Sequence, residues 1–175
     1  MDQRYIKKEQ QIRYAFKTLL ANKYFEDISV SELCRLASID RKTFYLHYQS
    51  LDDLLEATQK ELTDEFSNLV KGLDPIDDLY ECTKQFFYFS ESQGRFYERL
   101  TLNNENSYIR NQMIKDVMTR SVDETTISMD RSFKIGYIVN ATLYFYKEWV
   151  RREKKMPIND IIDLTVNTIR NGINK

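Results

Sequence analysis

Glycine and proline are scarce in this sequence, which holds four glycines and two prolines in 175 residues. Folds that contain sheets need such residues at turns roughly every 8–12 positions and at many helix ends. The scarcity therefore predicts an all-α fold. With 42% hydrophobic and 30% charged residues, the chain has enough apolar surface for a core, so we do not expect disorder.

Long apolar runs are absent as well. The longest, residues 135–150, contains Asn140, Lys147 and Glu148, and it is shorter than the ~20 residues that a membrane-spanning helix needs. The first residues, MDQRYIKKEQQ, have no apolar run behind their charges, so we expect no signal peptide. These features predict a cytoplasmic protein that does not interact with a membrane.

Residue types that carry catalysis are also few. The two cysteines, Cys34 and Cys82, form neither a disulfide framework nor a metal-binding spacing, so they are expected to be buried thiols. The sequence contains no glycine-rich phosphate loop and a single histidine, His47. We therefore expect no cofactor, no metal and no enzymatic activity.

The charge is unevenly distributed along the chain. The net charge is −1, but residues 1–50 carry +3 and the remaining residues carry −4. A net charge near zero gives the whole molecule no general attraction for nucleic acid. The N-terminal part is nevertheless its cationic end.

The spacing of apolar residues and helix-capping signals predicts about nine helices. Ser29, Asp40 and Ser50 are candidate N-caps, and Glu32 is expected to complete a capping box with Ser29. Pro75 is expected to open a helix, and Ser132 or Asp130 is expected to start a long one. Asn103–Asn106 is expected to form a loop. The predicted helices span about residues 4–22, 30–37, 41–48, 51–72, 75–94, 96–102, 108–122, 132–154 and 158–173.

The segment of residues 29–50 has the dimensions of a helix-turn-helix, two short helices joined by a three-residue turn. In its second helix, Phe44 and Tyr48 are four residues apart and are expected to pack on Leu33 and Leu36. The opposite flanks then carry three further pairs at the same spacing, Arg41 with Tyr45, Lys42 with Leu46, and Thr43 with His47.

That outer surface combines cations, a hydroxyl, a phenol and an imidazole, with little carboxylate. Arg41 and Lys42 can donate to guanine edges or phosphates, while hydroxyl and ring N–H groups donate to phosphate oxygens. The backbone N–H groups at Ser29 and Val30 begin the preceding helix and can hold another phosphate. The segment therefore predicts a helix that lies in the major groove of double-stranded DNA.

From about Ile12 to Leu55, and above all in the run T-F-Y-L-H-Y at residues 43–48, the sequence resembles the TetR family of bacterial transcriptional regulators. The resemblance implies a homodimer with a DNA-binding domain over residues 1–50 and a helical effector and dimerisation domain over residues 51–175. It implies phosphate contacts by Thr43, Tyr45 and His47 and base reading near Arg41 and Lys42.

Two positions depart from the family pattern. Ser38 replaces the glycine that is common in the turn, which costs ~1 kcal/mol if the residue is left-handed. Leu51 replaces a lysine that commonly binds phosphate, so one backbone contact is expected to be missing.

The aromatic clusters at Phe86–Phe89 and Tyr137–Trp149 have two interpretations, a core and dimer interface or a cavity for an effector. The residues of a candidate effector cavity are Tyr80, Phe86, Phe87, Phe96 and Tyr97. The residues of a candidate dimer interface are Tyr137, Tyr144, Trp149, Ile162, Val166 and Ile169.

We thus expect a transcriptional regulator that binds a palindromic operator as a homodimer. Repression is the more common action of such regulators, and a small apolar effector is expected to release the protein from DNA. The alternatives are a regulator controlled by a partner protein and a helical adaptor that binds no DNA. Salt-dependent DNA binding separates the regulators from the adaptor, because phosphate contacts release counterions.

Overall fold

The computed structural model describes residues 3–102 and 128–173, which form eight α-helices and one 3-10 helix. These two ranges contain no strand, so the predicted all-α fold is confirmed. The predicted helix at 108–122 and the predicted loop at 103–106 lie outside the described residues. The elements are α1 (Gln3–Asn22), the 3-10 helix (Phe25–Asp27), α2 (Val30–Ala37), α3 (Arg41–His47), α4 (Leu51–Leu69), α5 (Leu79–Gln93), α6 (Arg95–Leu102), α7 (Met129–Arg151) and α8 (Ile158–Ile173).

The described residues form two compact units. The first comprises residues 3–61 and 93–102, and the second comprises residues 62–92 and 128–173. The first unit therefore extends beyond the domain boundary predicted at residue 50. It includes the N-terminal part of α4, and it includes α6 because that helix packs along α1.

The core of the first unit forms around one face of α1. The apolar spacing of this helix buries Ile12 and Phe16, and α1 contacts both α2 and α3. Leu33 of α2 and Phe44 of α3 are fully buried. An isolated helix as short as α3 is not stable in water, so the burial of Phe44 is what holds α3 in place.

Three predicted N-caps are present in the first unit. The Ser29 hydroxyl accepts a hydrogen bond from the Glu32 backbone N–H at 3.2 Å. The Asp40 carboxylate accepts one from the Thr43 N–H at 2.7 Å, and the Ser50 hydroxyl accepts one from the Asp53 N–H at 3.1 Å. Each cap satisfies a backbone donor that the helix itself leaves unpaired. The starts of α2, α3 and α4 are thereby fixed.

Helix α6 is held on the first unit by apolar burial and by two cations over aromatic rings. Phe96 and Tyr97 are buried. The Lys17 ammonium nitrogen lies 5.3 Å from the centroid of the Phe96 ring, and the Arg99 guanidinium carbon lies 5.3 Å from the centroid of Tyr24. Such contacts add to burial by attraction to the ring quadrupole.

The core of the second unit is aromatic. Phe86 and Phe87 of α5 and Tyr146 of α7 lie in edge-to-face pairs with centroids 5.6–5.9 Å apart. Phe66 of α4 makes a further edge-to-face contact with Phe86 at 5.8 Å. Edge-to-face geometry is favourable because the ring edge is positive and the face negative. The cluster therefore specifies the packing of α4, α5 and α7 within this unit.

Two helices start at residues other than the predicted ones, because nearby side chains bond to the backbone. Pro75 does not open α5, which begins at Leu79. The carboxylate of Asp74 accepts hydrogen bonds from the N–H groups of Ile76 and Asp77 at 2.9 and 3.2 Å. These bonds stabilise a turn where a helix would otherwise begin.

Helix α7 starts earlier than the predicted Ser132 or Asp130. Its first residue is Met129, because the hydroxyl of Ser128 accepts a hydrogen bond from the Arg131 N–H at 3.2 Å. Serine is a strong N-cap at either position. The cap that the structure uses, Ser128, precedes both predicted starts.

A strained turn joins α7 to α8. Helix α7 ends at Arg151, short of the predicted residue 154, because Glu153 and Lys154 have φ angles of 55° and 52°. The N–H of Lys154 donates to the Trp149 carbonyl at 2.9 Å, and the Trp149 indole donates to the Met156 carbonyl at 2.8 Å. These bonds hold two left-handed residues that would otherwise be unfavourable.

Ser38 occupies a left-handed conformation at the C-cap of α2, with φ 54° and ψ 50°. We predict that Ser38→Gly raises the free energy of unfolding by about 0.5–1 kcal/mol, because relief of the strain exceeds the added entropy of the unfolded chain. Urea denaturation followed by circular dichroism measures the change. Ser38→Ala is the control and gives no gain, and a glycine variant no more stable than the parent contradicts the prediction.

Candidate nucleic-acid interface

Helix α3 presents two different faces. Phe44 points into the core and is fully buried, whereas Arg41 and Lys42 are exposed. Tyr45 and Leu46 are 56% and 67% exposed. The structure thus places two cations, a phenol and an aliphatic side chain on the outer side of the helix. Their contact with DNA stays a prediction.

The inner side of the helix-turn-helix differs in one residue from expectation. Phe44, Tyr48 and Leu33 are buried as predicted. The prediction that Leu36 packs with them is wrong, since this side chain is 47% exposed. The left-handed Ser38 ends α2 directly after Ala37, and Ala37, not Leu36, fills the inner position.

Two side chains at the start of α3 are oriented by neighbours. The guanidinium of Arg41 donates a hydrogen bond to the Ser31 hydroxyl of α2. The Thr43 hydroxyl donates to the Asp40 carboxylate at 3.1 Å. The Thr43 backbone N–H, together with this hydroxyl, lowers the pKa of Asp40 below its usual value. Thr43 must therefore exchange its bond to Asp40 for any bond to a phosphate.

The N-terminus of α2 lies open at Ser29, which is exposed, and Val30, which is half-buried. The hydroxyl of Ser29 caps the helix, but Glu32 does not complete the predicted capping box. Its carboxylate instead accepts two hydrogen bonds from the Lys23 ammonium at 2.8 Å each. Phosphate binding by the N–H groups at Ser29 and Val30 stays a prediction.

His47 is half-buried at the end of α3. Its ring stacks on Tyr5 in the first turn of α1, with centroids 3.9 Å apart and planes 30° apart. Burial lowers the pKa of His47, and the charge of Glu9 opposes the shift. Sequence reasoning missed Tyr5, because a contact across 42 residues leaves no local pattern.

A polar network anchors the end of the helix-turn-helix to α1 and α4. Arg13 donates to Glu9 at 3.0 Å and also pairs with Glu61. The hydroxyl of Tyr48 donates to Glu9 at 3.2 Å. Burial raises the pKa of Tyr48 to about 12. The i, i+4 spacing of Glu9 and Arg13 in the sequence is enough to predict their ion pair. The pairing of Arg13 with the distant Glu61 leaves no such pattern.

We predict that Arg13→Met lowers the free energy of unfolding by about 2 kcal/mol, because it leaves the Glu9 and Glu61 carboxylates without their cation. Thermal and urea unfolding measure the loss. Lys7→Met, at an exposed position of the same helix, is the control and is expected to change little. Equal stabilities of the two variants would show that the network does not anchor the unit.

The predicted dimer residues fall into two groups. Trp149, Ile162, Val166 and Ile169 are buried within this chain, so their surface is not available to a partner. This part of the predicted interface is corrected: the apolar faces of α7 and α8 pack on their own unit. Tyr137 and Tyr144 are exposed. With Met129 and Phe133 they form a stripe on α7, which we call the α7 stripe.

The predicted effector residues are divided between the units. Phe86 and Phe87 belong to the second unit and are packed in its aromatic core, while Tyr80 is partly exposed there. Phe96 and Tyr97 belong to the first unit, where they are buried. Effector binding by this set stays a prediction.

An open pocket of about 710 Å³ lies between α7 and α8 in the second unit. Its walls are aromatic and aliphatic, and two cations stand at its edge. The lining residues are Tyr144, Phe145, Glu148, Trp149, Arg152, Lys155, Met156, Ile161 and Leu164. A volume of roughly 300–1,000 Å³ is usual for small-molecule sites.

Within residues 3–102 and 128–173, no helix is both long and apolar enough to cross a membrane. In the same ranges, no group of three or more His, Cys, Asp or Glu side chains has the arrangement needed to hold a metal ion.

The described residues combine a helix-turn-helix in the first unit with a second helical unit. Solved structures of TetR-family transcriptional regulators share this fold. NalD, the secondary repressor of the MexAB-OprM multidrug efflux pump in Pseudomonas aeruginosa, is 15% identical with a TM-score of 0.74, and the match covers 98% of each chain.

A TetR transcriptional regulator from Streptococcus agalactiae is 19% identical with a TM-score of 0.69 and 96% of each chain covered. The dihydroxyacetone kinase operon activator DhaS is 20% identical with a TM-score of 0.62, covering 95% of this chain and 96% of the other. No protein-family model and no curated protein sequence matches this chain. The family resemblance is thus confirmed at the level of the fold.

Proposed function

We propose that this chain is a sequence-specific DNA-binding regulator of transcription that acts as a homodimer on a palindromic operator in the bacterial cytoplasm. The outer face of α3 carries the proposal. It presents Arg41, Lys42 and Tyr45 to solvent on a helix whose opposite face is locked into the core. The shared fold of structures named as transcriptional regulators supports it.

In this proposal α3 lies in the major groove. Arg41 and Lys42 read base edges or grip phosphates, and the exposed Leu46 suits the methyl group of thymine. Tyr45, Thr43 and His47 donate to phosphates, which fix the register without reading sequence. The first N–H groups of α2, at Ser29 and Val30, hold one more phosphate.

The α7 stripe supports the homodimer. Phe133 is 72% exposed, and Met129, Tyr137 and Tyr144 lie on the same side of α7 at spacings of four, four and seven residues. A row of large exposed apolar side chains on one helix face is suited to an interaction surface. A second copy of the chain would cover it across a two-fold axis. The two helix-turn-helix segments would then face two half-sites about 34–36 Å apart.

We predict that Arg41→Ala weakens binding of the selected operator by about 1–3 kcal/mol and relaxes its sequence preference, because a base contact is lost. Tyr45→Ala is expected to weaken all duplexes more evenly. Fluorescence anisotropy, with a duplex selected by the wild-type protein from random sequence, measures both at several salt concentrations.

Arg170→Ala provides the matched control, since Arg170 is an exposed cation of α8 outside the helix-turn-helix. It is expected to leave affinity and salt dependence unchanged. If Arg41→Ala and Tyr45→Ala both bind as tightly as the wild type, α3 is not the recognition helix. If the wild type shows no salt-dependent DNA binding, the adaptor alternative is correct.

We predict that Phe133→Asp converts the homodimer to a monomer, because a charge in a permanent apolar interface is costly to desolvate. Light scattering is expected to give twice the chain mass of 21.0 kDa for the wild type and 21.0 kDa for the variant. Leu69→Asp, at another exposed apolar position, is the control. A wild-type monomer at micromolar concentration would remove the dimer and the palindrome together.

The proposal includes repression that is relieved by a small apolar effector. NalD is named a repressor, whereas DhaS is named an activator. A reporter gene behind the selected operator therefore decides whether this chain represses or activates transcription.

The aromatic rings around Phe86 are packed against one another, so an effector there must displace them. The pocket between α7 and α8 offers volume without such displacement. Control by a partner protein is the alternative.

A further inference from the structure

The first turn of α1 packs against the last turn of α3 through two rings. Tyr5 and His47 stack with centroids 3.9 Å apart, and Tyr5 remains 41% exposed. Tyr5 therefore lies beside a residue proposed to contact DNA, at the rim of the same surface. No pattern in residues 29–50 includes it.

The two nitrogens of His47 differ in environment. Nδ1 is buried and finds no hydrogen-bond partner among the described residues. A buried polar atom without a partner is costly, and a buried charged ring is costlier. Burial accordingly lowers the pKa of His47. Because Nδ1 is enclosed, Nε2 is the nitrogen left to bond a group outside the chain.

The titratable groups near the His47 ring, Glu9 and Tyr48, do not hold the ring in place as Tyr5 does. Glu9 of α1 acts on His47 through its charge, but its carboxylate is bound by Arg13 and by the Tyr48 hydroxyl. The Tyr48 ring lies 6.4 Å from His47, in a tilted arrangement. Tyr5 makes the close ring contact.

We propose that Tyr5 is a positioning residue for DNA binding: its ring fixes the His47 imidazole so that Nε2–H faces a phosphate. This inference rests on the proposed function and deepens it. It extends the DNA-binding machinery from the helix-turn-helix to the start of α1. A neutral donor held in place loses little rotamer entropy on binding, whereas a mobile one loses more.

The first test needs no DNA. His47 is the only histidine, so its ring resonances in an NMR spectrum are unambiguous. Tyr5→Ala is expected to remove the ring-current shift of His47 and to move its pKa up towards about 6.5. Tyr5→Phe keeps the stack and is expected to preserve both values. Tyr14→Ala, which removes an exposed ring of the same helix, is the matched control.

The second test measures affinity by anisotropy, with the wild-type-selected duplex and with a random duplex. Tyr5→Ala is expected to weaken both about 5-fold, the size of one phosphate hydrogen bond. Tyr5→Phe and Tyr14→Ala stay within about 2-fold of the wild type. Tyr5→Ala combined with His47→Ala is no weaker than His47→Ala alone, because both remove the same contact.

Three outcomes overturn the inference while leaving the regulator intact. They are wild-type affinity in Tyr5→Ala, additive losses in the double variant, and a His47 pKa that Tyr5→Ala does not move. A wild-type chain that selects no duplex defeats the proposed function itself, whatever the NMR spectra show. The two failures are thereby distinguishable.

Discussion

The burial of Phe44 is the constraint on which the candidate site depends. Helix α3 has seven residues, too few to persist alone in water. It is helical because Phe44 is fully buried beside α1 and α2 and because Asp40 caps its first turn. The outer side chains then have fixed directions. The core beneath α3 therefore fixes the positions of its outer side chains.

The end of α3 is held by a second set of contacts with α1. Tyr48 bonds to Glu9, Arg13 joins Glu9 to Glu61 of α4, and His47 stacks on Tyr5. Along α1 these residues precede the ring contact of Lys17 with Phe96 of α6. One helix thus contacts α3, α4 and α6 within the same unit. A change at α6 is therefore connected to α3 through α1.

Local chemistry made much of the first unit predictable. Ser29, Asp40 and Ser50 signal their caps within three residues, and the spacing of Phe44 and Tyr48 indicates a buried face. The prediction that Pro75 opens a helix was wrong, because the Asp74 carboxylate accepts a hydrogen bond from the Ile76 N–H and stabilises a turn there. The pattern of Ile162, Val166 and Ile169 predicted an apolar face of α8 that a second copy covers, whereas these side chains are buried within this chain. It held no information on whether the same chain or a second copy covers that face, because periodicity does not identify the partner.

The proposed function requires that α3 and the start of α2 contact DNA. Hydrogen–deuterium exchange of the wild-type chain, with and without its selected duplex, measures this contact, since bound backbone is protected from exchange. Slower exchange is expected in peptides that cover residues 3–8, 29–31 and 41–47, with residues 158–172 unchanged on binding. Protection confined to the second unit, with residues 41–47 unaffected, would contradict it.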